Sequence, residues 1–191
     1  CGVWIVWDLD EDIRMGMLSA KLLRPIDPAH NYFAMSLTDK PVEMVFIFPP
    51  ILLAMWWFGA EYSLSPVNFL LVFIGIFGAI CIEFFVSMTI GALGFWITQM
   101  LSIIQVWFYL RAFFSGWLIP LSLFPESLQG FLLFAPFRYT LSFPVEILMG
   151  QINTNEILLG FTVQWMWVLL FFTSYRILWN KGISQFSAVG A

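Results

Sequence analysis

Charged residues are scarce in this sequence. They make up 10% of its 191 residues, whereas a typical soluble domain is about 25% charged. Apolar residues make up 61% of the chain, and a soluble domain of this length has too large a surface to keep so many of them away from water. The composition therefore excludes an ordinary soluble globular protein and predicts one that is embedded in a lipid bilayer.

The residue types that usually carry catalysis or bind metals are equally scarce. His30 is the single histidine, and the two cysteines, Cys1 and Cys81, lie far apart. A phosphate-binding loop of the form Gly-x-x-x-x-Gly-Lys-Ser/Thr is absent. Proteolysis inside the membrane would need a buried base or a set of metal ligands, and a lone histidine in a polar loop is usually only solvated. We therefore predict no enzyme activity, no metal site and, without a run of basic residues, no nucleic-acid partner.

Continuous apolar runs divide the rest of the chain. Crossing about 30 Å of hydrocarbon takes roughly 20 apolar residues, and uninterrupted runs favour helices over the alternating pattern of a barrel. The predicted fold class is all-α, a polytopic helical membrane protein with a transmembrane domain at 41–178. Its four complete transmembrane helices are expected at about residues 41–60, 66–93, 99–121 and 155–177.

The chain opens with an apolar segment and then becomes polar. Residues 1–7 read as the end of a preceding transmembrane helix, so we expect a fragment whose earlier spans are missing; a cleaved signal peptide is the alternative. In the polar loop at 8–40, acidic N-cap candidates and apolar residues at helical spacing predict a short amphipathic helix from about Asp10 to Leu23.

The few Lys and Arg residues predict the orientation. Arg138 is the only one expected on one face, whereas six lie on the other, namely Arg14, Lys21, Arg24, Lys40, Arg176 and Lys181. Because cytoplasmic loops carry the excess of positive charge, we expect the loop at 8–40 and a C-terminal tail at 179–191 to lie in the cytoplasm.

The segment at 122–153 is punctuated by proline and glycine. It contains two apolar stretches, each too short to cross the bilayer. We predict an external helical hairpin that enters the membrane and leaves on the same side. The residues expected to shape it are Pro125, Glu126, Pro136, Arg138, Pro144, Glu146 and Gly150.

Two charged residues lie inside predicted spans, where charge is costly. Glu83 precedes Trp96 in the connecting turn by 13 residues and Arg111 follows it by 15, which is roughly 20 Å along each helix. At this common depth we predict an ion pair, which either only joins two helices or belongs to a gate or substrate path. Small residues around Glu83 would let another helix approach closely, and these are Gly75, Ala79, Ser87 and Gly91.

Several stretches resemble bacterial ABC-2-type transporter permeases. The stretch from Asp12-Ile-Arg-Met-Gly16 to Leu22-Leu-Arg-Pro-Ile26 is similar to the family's I-x-x-G and L-L-R-P-I/L motifs. Ser115-Gly116, Ile119-Pro-Leu121 and Phe124-Pro125 are similar to its S-G-x-x-x-P-L-x-x-F-P motif. The resemblance continues through Ala135-Pro-Phe-Arg138, Pro144-x-Glu-Ile147, Gly150 and the closing Ser187-Ala-Val-Gly-Ala191, and so covers almost the whole chain.

The resemblance implies a transmembrane permease subunit of an ATP-binding cassette exporter in the bacterial inner membrane. Such a subunit works with two copies of an ATPase subunit, which bind the ATP, and with a second permease as a homo- or heterodimer. The chain itself then binds no cofactor, contacts membrane lipids, and moves its substrate by alternating access. The alternatives are a membrane scaffold that transports nothing and a channel that needs no ATPase.

The resemblance also implies that the amphipathic helix is a coupling helix that seats on the ATPase. The alternative is a helix that merely lies on the membrane surface. The residues expected to couple the two subunits are Ile13, Arg14, Gly16, Met17 and Leu18.

Overall fold

The computed structural model describes residues 2–23, 27–38, 49–50, 53, 57, 66–97 and 99–189. Within these ranges every regular element is helical, which confirms the predicted all-α class. The helices are α1 (Gly2–Arg14), α2 (Met17–Leu22), α3 (28–38), α4 (Pro66–Ala92), α5 (Met100–Phe114), α6 (Glu126–Leu132), α7 (Ser142–Leu148) and α8 (Thr154–Val189). The predicted span at 41–60 lies almost wholly outside the described residues.

Two described segments are long and apolar enough to cross a bilayer. One consists of α4 and the single 3-10 turn after it, and the other lies within α8. These segments are Val67–Phe95, of 29 residues, and Thr154–Gln185, of 32 residues. The two helices pack side by side. Gly78 allows their close approach, because a Cβ atom at this position would lie only 2.6 Å from the side chain of Gln164. Together α4 and α8 form the frame on which the other helices are arranged.

The C-terminal helix is longer than the sequence predicts. The tail expected at 179–191 continues the helix to Val189. A change from apolar to polar residues does not by itself end a helix, and no proline interrupts the chain after Thr154. Trp179 is buried against neighbouring helices, which stabilises this extension. With 36 residues, α8 is about 54 Å long and therefore longer than the hydrocarbon core of a bilayer.

The predicted span at 99–121 contains a shorter helix. Helix α5 ends at Phe114 after 15 residues. Gly116 then adopts the left-handed conformation, with φ +87°, which commonly ends a helix, and Pro120 is extended. The helix within this predicted span therefore ends before residue 121, because the apolar run continues beyond the helix and hydrophobicity alone cannot separate the two.

The bounds predicted for the amphipathic helix, Asp10 to Leu23, are also wrong. Helix α1 begins at Gly2 and continues through the acidic residues to Arg14, so the boundary expected after residue 7 lies inside a helix. The Nε atom of Arg14 lies 2.7 Å from Oδ1 of Asp10, and such a contact between residues four apart stabilises a helix. Gly16, with φ +72°, then separates α1 from α2.

Helices α1, α2 and α3 form one packed region, here called the α1–α3 unit (residues 2–23 and 27–38). Its core includes residues of the unit and of α4 and α8, among them Leu9, Leu18, Tyr32, Met88 and Trp179. A second core lies between α4, α5, α7 and α8, and includes Ile82, Ile104, Phe143 and Val163. Both cores are built on α4 and α8, which gives the two regions a common support.

Candidate functional site

Two of the five predicted coupling residues face the interior of the chain. Leu18 is fully buried, and Ile13 packs against both hydrophobic cores. These side chains stabilise the α1–α3 unit, and a partner could reach them only by displacing that packing. The resemblance implies that both residues belong to one coupling helix, whereas Gly16 separates α1 from α2 and the two side chains pack inward.

The other three predicted coupling residues are exposed. Arg14 is half exposed and pairs with Asp10, and Gly16 has open space around it. Met17 is 45% exposed, and Met15, which is not among the predicted coupling residues, is 71% exposed. Met15, Gly16 and Met17 are here called the turn surface. It presents two flexible apolar side chains in a polar part of the chain.

A buried carboxylate joins the three helices of the α1–α3 unit. Asp12 of α1 accepts a hydrogen bond from the hydroxyl group of Tyr32 in α3 and forms an ion pair with Nζ of Lys21 in α2. The same ammonium group lies 5.0 Å from the centre of the Tyr32 ring. Burial and, after it, the hydrogen bond to Asp12 raise the pKa of Tyr32, so its hydroxyl group stays protonated and remains a donor.

A second ionic contact ties this unit to α8. Nη1 of Arg176 lies 2.8 Å from Oδ2 of Asp27, the residue that precedes α3. Each side chain is partly exposed, so this is a contact at the edge of the unit. The two residues are 149 positions apart, and no local pattern in the sequence indicates that they meet.

The structure brings the two intramembrane charges together. Nη1 of Arg111 lies 3.5 Å from Oε1 of Glu83, and both side chains are mostly buried. The guanidinium group also lies 5.8 Å from the centre of the Phe108 ring, a distance at which cation–π attraction operates. This contact links α4 to α5.

The small residues of α4 meet different neighbours at its two ends. A Cβ atom at Gly91 would collide with the side chain of Leu9 in α1, and one at Gly75 would touch Pro144 of α7. The predicted close approach thus involves two elements rather than one helix. The contact with α8 instead uses Gly78, which lies outside the four-residue spacing.

An ion pair braces the hairpin region (residues 122–153) from within. Arg138 and Glu146 are joined through two contacts, Nη2 to Oε2 at 2.5 Å and Nε to Oε1 at 3.3 Å. The hydroxyl group of Tyr139 donates to the carbonyl of Leu133 at 2.5 Å. All four residues belong to the hairpin region. The ion pair joins the bend at 138–140 to α7, and the hydroxyl group of Tyr139 joins the same bend to the end of α6.

Two of the three predicted prolines and the glycine lie at bends of the hairpin region, whereas Pro144 lies in the first turn of α7. Pro125 immediately precedes α6, and Glu126 is the first residue of that helix. Pro136 lies in the turn between the arms, where its carbonyl accepts a hydrogen bond from the amide of Tyr139. Gly150 follows α7 in the left-handed conformation, with φ +64°.

Gln164 is a buried polar residue that lies outside the predicted site. It lies in α8 and is fully buried. Its Nε2 atom donates to the carbonyl of Gly75 in α4 at 2.9 Å and to the carbonyl of Tyr139 in the hairpin region at 3.1 Å. A glutamine inside an apolar run is the signal that could have revealed it, since buried amides need partners.

The sequence profile of the ABC-2 family transporter proteins matches residues 4–190, which is nearly the whole chain. The chain belongs to the ABC-2 transporter family. The resemblance inferred from its motifs is thereby confirmed. No curated protein and no solved structure matches the chain. Its family and its apolar helices together identify it as a membrane protein and a component of a transport system.

In this ABC-2 protein the two candidate regions lie at opposite ends of α4 and α8. The α1–α3 unit meets the C-terminal ends, at Gly91 and Trp179. The hairpin region meets the N-terminal halves, where Gly160 leaves room for Phe143. ABC-2 permeases generally have no ATPase site of their own and normally work with a separate ABC ATPase subunit.

Proposed function

We propose that this chain is the permease subunit of an ATP-binding cassette exporter in the bacterial inner membrane. Two copies of a separate ATPase subunit would bind ATP and drive alternating access. A second permease subunit, identical or different, would complete the transport path. The α1–α3 unit and the C-terminus would then face the cytoplasm, with the hairpin region on the other side.

The observation that carries this proposal is the turn surface. Met15 and Met17 are exposed beside a left-handed glycine, whereas Ile13 and Leu18 secure the same segment from inside. Methionine side chains are flexible and adapt to a partner's surface, and exposed apolar residues rimmed by polar ones are typical of interaction sites. We infer that the ATPase docks here.

The packing of the α1–α3 unit supports the transmission of movement from this surface. The unit is fixed to α8 by Asp27 and Arg176 and to α4 by the close contact of Leu9 with Gly91. A push on the turn surface would therefore reach both long helices. Helix α8 is continuous from this unit to the hairpin region, so it can carry the displacement across the bilayer.

The depth of the hairpin region supports a re-entrant arrangement. The carbonyl of Tyr139 accepts a hydrogen bond from Gln164. Gln164 lies ten residues after Thr154, which is about 15 Å along α8 from its first residue. This is roughly half the thickness of the hydrocarbon core. In the proposed topology the four spans are retained: one, at 41–60, lies almost wholly outside the described residues, and another combines α5 with the turn and bends at 115–119.

The proposal is tested by purifying the tagged permease from native membranes and identifying a co-purified ATPase by mass spectrometry. We expect Met17→Asp to weaken that association roughly tenfold, because a charge would be buried in an apolar contact. Met149→Asp is the matched control, since Met149 is similarly exposed at 48% but lies at the end of the hairpin region.

Equal recovery of the ATPase with Met17→Asp and with wild type would contradict docking at the turn surface. Absence of any co-purified ATPase would instead favour the ATPase-independent channel or the membrane scaffold. Ile13→Asp is unsuited to this test, because Ile13 packs against both cores and its loss would destabilise the permease itself.

A further inference from the structure

The side-chain amide of Gln164 connects three parts of the molecule. Its Nε2 atom donates both of its hydrogens, one to Gly75 of α4 and one to Tyr139 of the hairpin region. Gln164 itself belongs to α8. Its two hydrogen bonds therefore connect α8 to α4 and to Tyr139 in the bend of the hairpin region. The bonded carbonyls lie deep in the packed interior, where a hydrogen bond is stronger than in water.

The other contacts of the hairpin region with its surroundings are of a kind that can separate and re-form. Phe143 fits against Gly160 and Pro144 fits against Gly75, with no covalent or ionic link in either pair. Two neutral hydrogen bonds also join the hairpin region to its surroundings. Ser142 Oγ donates to the carbonyl of Ser115 at 2.5 Å, and Nε1 of Trp167 in α8 donates to the carbonyl of Phe134 at 2.8 Å. Since its ion pair is internal, the hairpin region can move as one body once such contacts are released.

The same amide is incompletely bonded in this arrangement. Among the described residues, Oε1 of Gln164 is buried without a hydrogen-bond donor, and an unpaired buried acceptor opposes the conformation that encloses it. Gly78 leaves just enough room for the amide, since a Cβ atom there would lie 2.6 Å from Oε1. The two hydrogen bonds from Nε2 therefore stabilise the closed hairpin region, whereas the unbonded Oε1 destabilises it. A contact with these opposing contributions can open at a small cost in free energy.

We propose that Gln164 is the positioning residue that holds the hairpin region closed against α4 and α8, and that release of its bond to Tyr139 opens the transport path on that side of the membrane. The opening of a path rests on the proposed transport function. The closure by Gln164 does not, and it can be measured on the permease alone.

The test follows the reactivity of a thiol at a contact of the closed hairpin region. Ser115 is 2% exposed and its carbonyl oxygen accepts the hydrogen bond from Ser142, so Ser115→Cys introduces a protected thiol at this contact with little change in size. In the full chain, purified in detergent with Cys1→Ser, we expect Gln164→Leu to speed maleimide labelling at position 115 about fivefold or more, because each lost hydrogen bond shifts the closed–open balance by about that factor. Buried Cys81 serves as the internal reference for general loosening.

A second variant keeps the glutamine but displaces it. Gly78→Ala pushes against the amide and is expected to raise labelling in the same way, so the test remains decisive if Gln164→Leu does not fold. Gln185→Leu, on an exposed part of α8, and Gly130→Ala, with open space around it, are matched controls and should change nothing.

Unchanged labelling at position 115 in both Gln164→Leu and Gly78→Ala would overturn the proposal. Equal acceleration at position 115 and at Cys81 would overturn it as well, since that result describes general destabilisation. The measurement needs neither an ATPase nor a transported substrate, so its failure is distinguishable from a failure of the proposed transport function.

Discussion

The ionic contact between Glu83 and Arg111 lies where water is scarce. Removing one member of such a pair leaves an uncompensated charge, whereas replacing both by apolar residues is often neutral or stabilising. We therefore expect the largest loss of stability when only one of the two residues is replaced. Its place between α4 and α5, rather than on an outer surface, leaves open both a joining role and a role in the transport path.

We expect Glu83→Leu or Arg111→Leu alone to destabilise the protein by about 3 kcal/mol or less, since both side chains retain some exposure. Glu83→Arg combined with Arg111→Glu should recover most of the loss, measured as the thermal unfolding midpoint in detergent. Glu11→Leu, at an exposed carboxylate of α1, is the control.

Failure of the exchanged pair to recover any stability would argue against direct pairing. The double leucine variant separates the two roles. Retained export by this variant would make the pair purely structural, whereas a stable but inactive variant would place it in the transport path.

The contact between Tyr32 and Asp12 is expected to make stability depend on alkaline pH. Tyr32→Phe removes one hydrogen bond to a carboxylate and should cost about 1.5–3 kcal/mol near neutral pH. Because the folded pKa of Tyr32 is raised, its contribution is present below the unfolded value of about 10 and is lost as pH rises above it. The unfolding midpoint of the wild type should therefore fall more steeply above pH of about 10 than that of Tyr32→Phe.

Tyr109→Phe is the matched control for this measurement, since Tyr109 is 61% exposed. Parallel decline of the wild type and Tyr32→Phe at alkaline pH would show that another group controls the transition.

At the scale of elements, the length of α8 determines how the α1–α3 unit is held. The helix continues beyond the predicted end of its span, and this extension carries Trp179 into the core of the unit. Arg176, just before that point, pairs with Asp27 at the start of α3. A tail without structure could not provide either contact.

Reversing one charge of this pair should loosen α3 without unfolding the protein. Because both side chains are partly exposed, the pair is expected to contribute only about 0.2–1 kcal/mol. We therefore expect Arg176→Asp to speed hydrogen exchange of the amides at 28–38 by about fivefold or less, and Asp27→Arg in the same chain to restore it. Lys181→Asp, at another exposed position of α8, is the control, and equal loosening by this variant would contradict a specific pair.

At the scale of the whole molecule, α4 and α8 act as a shared frame with a different structure at each end. The α1–α3 unit is held by a buried carboxylate network and an ionic contact to α8. The hairpin region is held by fitted apolar contacts and by neutral hydrogen bonds, two of them from Gln164 and Trp167 of α8. Among the described residues, the ionic attachment of these two regions to the frame is at the end that carries the turn surface, and we expect the end with the hairpin region to open more easily.

Family membership, helical class and the common depth of Glu83 and Arg111 could all be determined from the sequence alone. The apolar composition indicates that the chain lies in a membrane. The rise per residue converts the sequence separation of two residues into a distance along a helix. The motifs near Gly16 and Ser115 were sufficient to indicate the family.

Only the tertiary structure decided which side of each helix faces a neighbour. Leu18 faces inward and Met15 outward because Gly16 breaks the helix between them. Gln164 contacts Tyr139, and Arg176 contacts Asp27, because segments that are distant in the sequence pack together. The rotation of each helix about its own axis determines which side chains meet. Hydropathy and spacing determine how deep a residue lies, whereas these contacts depend on helix rotation and on long-range packing.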